Sequence, residues 1–138
     1  MIFKLFESLS TEQYLQSELL QKQLADKFGR NFYEKPICRE VCEYVKDLCQ
    51  DSLLRVEDAS VYKEVTNEDK SIDYEPVSQK GHTVIIYRDT LYDFTGDQYQ
   101  SYGFDKANGL RIMNREKIDN ALFSGMISYK LDDYIICV

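Results

Sequence analysis

Apolar residues recur at helical spacing in the first third of the chain and at strand spacing over much of the rest. Leu15, Leu19, Leu20, Leu24 and Phe28 repeat at intervals that place them on one helical face. Ser10 and Gln13 suit a capping box and Gly29 supplies a stop, so a helix is expected from about 11 to 28. A second helix is expected from Pro36, a residue type suited to the first helical position. Ile37, Cys38, Val41, Cys42, Val45, Leu48 and Cys49 then fall on one face.

Beyond Leu53 the pattern changes. LRVEDASVYKEV, residues 54–65, carries β-branched and aromatic residues in partial alternation and predicts one or two short strands. TNEDKSIDYEPVSQKG, residues 66–81, is polar and predicts a long loop delivering the chain to His82. HTVIIYRDTLYDFT predicts a β-hairpin turning at Arg88 and Asp89, followed by a glycine- and tyrosine-rich loop, GDQYQSYGFDKANG. After the short apolar run LRIM, Asn114 is placed to cap a helix of about ten residues containing Ile118, Ala121 and Leu122. MISYKL and DYIICV predict closing strands. Helices first, then an antiparallel meander with one late helix, give an α+β fold with N-terminal helices packed on an antiparallel sheet.

Composition narrows the function. The 138 residues fit a single domain, 1–138, able to bury a sizeable core without metal or disulfide staples. A net charge of −7 argues against a phosphate backbone or an anionic membrane as partner, so neither nucleic acid nor membrane is expected. The N-terminal MIFKLFESLSTEQ lacks the apolar stretch of a signal peptide, and no run approaches the length of a membrane span. Residence is expected in the cytoplasm, or outside the cell by a route that cleaves no signal. Three of the four cysteines lie within one predicted helix, where they are poorly placed to pair, so free thiols are expected. Cys38, Cys42 and Cys49 also span about 16 Å of helix, too far to converge with His82 on one metal ion. No phosphate loop or dinucleotide fingerprint is present, and no cofactor or metal is expected.

Proton transfer near neutral pH points to His82, the one histidine of the chain. Cys38 near a helix start, His82 opening a strand and Asp93 eleven residues later form the order of a thiol nucleophile, its base and the group that orients the base. A helix N-terminus stabilises a thiolate, although Glu40 and Glu43 oppose it. If the hairpin loop is Arg88 and Asp89 alone, Tyr87 pairs with Thr90, Val84 with Asp93 and His82 with Thr95. Asp93 then shares a face with His82 as a diagonal neighbour, about 7–8 Å away by backbone. It would accept the Nδ1 proton and present Nε2 to the thiol. As a strand-end carboxylate, Asp93 is expected to be partly exposed. The bland alternative treats helix-face cysteines as small core residues, and Cys42, Cys49 and Cys137 are read so. For Cys38 both readings stand.

These segments, KPICREVC with GHTVIIYRDTLYDFTGDQ, resemble the papain-like fold. Within that superfamily they are similar to compact bacterial and phage-type hydrolases, deamidase effectors and transglutaminase-like domains. The resemblance implies Cys38 as nucleophile, His82 as general base and acid, and Asp93 as orienter. It further implies acyl transfer from an amide of a protein or peptide substrate through a thioester. In papain-like proteases an upstream glutamine completes the oxyanion hole beside the cysteine's own N–H; here Asn31 is the nearest upstream amide and Gln98 a second candidate. A different class remains open: an acidic, tyrosine-rich binding module such as an inhibitor, immunity or adaptor protein.

Overall fold

The computed structural model describes residues 9–102, 109–116, 118–119 and 123–138. Two helices, α1 (Thr11–Leu15) and α2 (Glu18–Phe28), lead through a 3-10 turn, Phe32–Glu34, to α3 (Cys38–Cys49). Six strands follow: β1 (Leu54–Thr66), β2 (Ile72–Tyr87), β3 (Thr90–Asp93), β4 (Arg111–Asn114), β5 (Ser128–Leu131) and β6 (Tyr134–Cys137). A second 3-10 helix, Gly96–Tyr102, lies between β3 and β4. The sheet order is β4-β3-β2-β1-β6-β5, with every neighbouring pair antiparallel. An antiparallel bridge between Arg115 and Tyr129 ties the two outer strands and nearly closes the sheet. The protein is therefore α+β, with its helices grouped against one nearly closed antiparallel sheet.

The helix expected from 11 to 28 is present in two pieces. Ser10 and Gln13 form the capping box, but Ser17 interrupts the run and caps α2 by accepting from the Leu20 N–H. A serine side chain competes with the helix for backbone partners, which is why it breaks here. The loop expected over Thr66–Gly81 is mostly strand. β1 and β2 form one long ribbon whose turn, at Asn67–Ser71, is closed by the Asn67 N–H on the Ser71 carbonyl (2.8 Å). Much of the ribbon is exposed or half-buried on both faces, so its residues stay polar and lose the alternation that marks a strand. The helix expected after Asn114 is not found where the chain is described: Asn114 ends β4, and 118–119 are irregular, while 117 and 120–122, including Ala121 and Leu122, lie outside the described residues. The closing strands form β5 and β6 as expected, turning at Asp132, whose φ is 51°.

Both faces of the central strands are covered. On one, Leu15, Leu20, Leu24 and Phe32 join Val41, Cys42 and Val45 of α3 against Leu54, Ile85, Tyr87 and Tyr92. On the other, Val61, Val84, Ile86, Leu91, Met113, Tyr129 and Ile136 fill the inside of the curved sheet. α3 runs along β2 because their repeats match: four helical residues advance about 6 Å and two strand residues about 6.6 Å. Cys38 Sγ accordingly lies 3.9 Å from the Gly81 carbonyl, and one turn later the Cys42 thiol donates to the Thr83 carbonyl at 3.5 Å. Just before His82 the ribbon bulges. Ala59 pairs with His82 but Val61 with Ser78, so residues 79–81 stand opposite Ser60 alone. Such bulges re-aim neighbouring groups, and this one brings the Gly81 carbonyl to the start of α3.

Candidate active site

Three elements distant in sequence meet at the N-terminus of α3. Cys38 is its first residue, two places later than Pro36 would have started it, so the thiol sits at the positive end of the helix dipole. The hairpin turn is the expected two residues, with Tyr87 opposite Thr90, Ile86 opposite Leu91 and Ile85 opposite Tyr92. That parity sends His82, Val84 and Ile86 to the same face as Leu91 and Asp93. His82 Nε2 lies 3.0 Å from Asp93 Oδ1, with both side chains fully buried.

Two expectations about Asp93 need correction. It is completely buried rather than partly exposed; the 3-10 helix closes over it, and the Thr95 N–H donates to its Oδ1 at 3.2 Å. The carboxylate also faces Nε2, not Nδ1. The reason is reach. Asp93 lies on the diagonal of the neighbouring strand, within reach of the distal ring nitrogen, and the Cys38 sulfur sits beside the carbonyl of Gly81, the residue before His82. The Nε2 contact is short but off the N–H axis.

At Nδ1 the ring meets Gln98, whose Nε2 is 3.0 Å away. Tyr99 packs edge-on against the imidazole, 4.9 Å between centroids. The structure thus brings together Cys38, His82, Asp93 and Gln98. Asn31 stands exposed at the start of the first 3-10 turn and hydrogen-bonds to none of them.

Electrostatics separate Cys38 from the other thiols. Burial alone would raise its pKa, but the hydrogen bond and charge of His82, with help from Thr83, bring it below the usual thiol value. Burial would likewise lower His82; the Asp93 carboxylate, assisted by Cys38, outweighs it and raises the imidazole to about 9. Burial pushes the Cys42 thiol well up, the Cys49 thiol to about 12, and the Cys137 thiol upward too. All four cysteines are free, as expected.

A second layer behind Asp93 was not visible in the sequence. Arg111 of β4 is the cross-strand partner of Asp93 and donates to Asp97 Oδ1 at 2.8 Å, while the Gly109 N–H donates to Asp97 Oδ2 at 3.3 Å. The β3–β4 register that brings Arg111 beside Asp93 and Asp97 leaves no mark in the sequence. Gly96 is required at the junction: a Cβ there would lie 2.5 Å from Asp93 Oδ2 and 2.9 Å from Arg111 Cδ. Gly96→Ala is expected to displace one of them, costing about 1–3 kcal/mol in urea unfolding and slowing Cys38 alkylation about tenfold.

No family model matches this chain, and no curated protein or solved structure is similar to it. Among the described residues no helix is long and apolar enough to cross a membrane, and no cluster of three metal-ligating side chains occurs. The chemistry open to the four grouped side chains is transfer of the thiol proton to a carboxylate-backed imidazole, which leaves a nucleophile at a helix N-terminus.

Proposed function

We propose that the chain is a papain-like, cysteine-dependent amide hydrolase acting on a protein or peptide. The observation that carries this reading is the pairing of the one lowered thiol with the one histidine, itself backed by a buried carboxylate at 3.0 Å. Cys38 would attack the amide carbon as a thiolate, its proton having passed to His82 Nδ1. Helix-terminal N–H groups lack intrahelical partners, so the Cys38 N–H is available to the developing oxyanion. Of the two side-chain candidates, Gln98 lies with the grouped residues, while Asn31 is exposed and bonds to none of them. His82 then returns the proton to the departing nitrogen, the C–N bond breaks, and a thioester remains. Water, deprotonated by the same imidazole, releases the acid and restores the thiol. Asp93 fixes the ring through Nε2 and stabilises its charge. Hydrolysis of a glutamine side chain and cleavage of a peptide bond are told apart by mass spectrometry of candidate substrates.

The test is selective alkylation. At pH 7 iodoacetamide is expected to modify Cys38 alone, ahead of Cys42, Cys49 and Cys137, whose thiols burial holds up. The rate should rise with pH through a midpoint below 9, since the Cys38 pKa is lowered from that value. Modification of Cys38 no faster than the other three thiols would favour the non-catalytic reading, an acidic module that binds a protein partner.

A further inference from the structure

Asp93 holds one nitrogen of the His82 ring, so the group facing the other nitrogen decides how an acquired proton is kept. Gln98 brings its amide nitrogen to 3.0 Å from Nδ1, while its Oε1 is buried with no hydrogen-bond partner. Both features fit poorly with an ionised ring. An imidazolium donates from both nitrogens and an amide NH2 also donates, so N–H would face N–H. Half a turn of the amide, which leaves its shape unchanged, lets Oε1 accept from Nδ1–H and gives the buried carbonyl a partner, while the NH2 moves to the buried position that Oε1 held. The titratable groups around the ring are Cys38 from α3, Asp93 from β3 and Tyr99 from the second 3-10 helix, with Cys42 one turn below Cys38. Asp93 is taken up at Nε2 and Tyr99 packs edge-on, which leaves Nδ1, with Gln98 at 3.0 Å, as the nitrogen open to the proton of Cys38, whose side chain also bonds to His82.

We infer that Gln98 is a positioning residue that clamps the imidazolium, its carbonyl oxygen accepting the Nδ1 proton taken from Cys38 and so leaving the sulfur free as a thiolate. The inference rests on the ion pair of the proposed hydrolase. In the step, the Cys38 S–H bond breaks, the Nδ1–H bond forms and the electron pair stays on sulfur. When the proton is later delivered to the leaving nitrogen, the amide turns back and its NH2 donates to the bare Nδ1. A hydrogen bond to a charged group is about twice as strong as one between neutral groups, so the balance of the two orientations favours the ionised ring.

His82 is the sole histidine, so a long-range 1H–15N spectrum of labelled protein reads both ring nitrogens without ambiguity. At pH 7 both are expected to carry protons and to titrate near pH 9. Gln98→Ala and the similarly shaped Gln98→Met are expected to lower that midpoint by about half to one pH unit and to slow Cys38 alkylation at pH 7 about three- to tenfold. Gln98→Glu, which keeps an acceptor and adds a charge, is expected to return the ring midpoint to about 9 or above. A midpoint unchanged or raised in both Gln98→Ala and Gln98→Met, or alkylation as fast as wild type, overturns the clamp. The two ideas fail differently: a wild-type ring that is neutral at pH 7 counts against the ion pair as well, whereas an ionised ring indifferent to Gln98 counts against the clamp alone.

Discussion

His82→Ala is expected to make Cys38 as unreactive as the buried thiols, with turnover falling on the order of a thousandfold or more. Without the imidazole, burial is the largest influence left on Cys38 and it opposes the thiolate. The helix dipole alone, worth about 1 kcal/mol at such a position, does not compensate. Cys38→Ala is expected to lose as much activity, and the double variant no more, because the two groups act on one proton. His82→Ala also leaves the Asp93 carboxylate buried without its cation, at a stability cost of about 3 kcal/mol. His82→Gln, which keeps a polar donor beside Asp93, separates loss of chemistry from loss of fold. A Cys38→Ala protein with its full biological effect would defeat the hydrolase and leave the binding module.

The cluster was legible in the sequence where local rules suffice. Arg88 and Asp89 fixed a two-residue turn, the turn fixed parity, and parity alone put Asp93 on the face of His82. The helix carrying Cys38 was legible from its apolar stripe, and Val41, Cys42 and Val45 are buried as that stripe requires. What could not be read was anything set by distance along the diagonal or between non-adjacent segments. The ring nitrogen chosen by Asp93 depends on how far the imidazole must reach, and its burial depends on a 3-10 helix that composition presents only as a glycine- and tyrosine-rich loop. Residues 66–81 misled for a related reason: a ribbon wet on both faces needs no hydrophobic alternation, so Asp73, Glu75 and even Pro76 occur within β2. Pro76 sits opposite Tyr62 at the irregular stretch of the ladder, where a missing N–H is tolerated.

Asp93→Ala and Asp93→Asn should separate the two things this carboxylate does. Either change removes the charge that opposes burial at His82, so the imidazole midpoint is expected to drop from about 9 to below its ordinary 6.5. The thiol then loses its cation, and Cys38 alkylation at pH 7 is expected to fall on the order of a hundredfold in both. Geometry divides them. The Asn oxygen can still accept from Nε2 and from the Thr95 N–H, whereas Ala leaves that N–H and the Nε2 of the ring unpartnered in a fully buried site. Asp93→Ala is therefore expected to cost about 2–4 kcal/mol in denaturant unfolding and Asp93→Asn about half as much. The pH dependence has a definite sign. A histidine whose folded pKa is raised lends stability that is fully present below its unfolded value and lost as pH rises through its folded value. The stability gap between wild type and Asp93→Asn is thus expected to be widest below pH 6.5 and to close as pH rises through about 9. A gap that is flat across this range would mean that Asp93 holds the ring by packing alone, with no part in stabilising its charge.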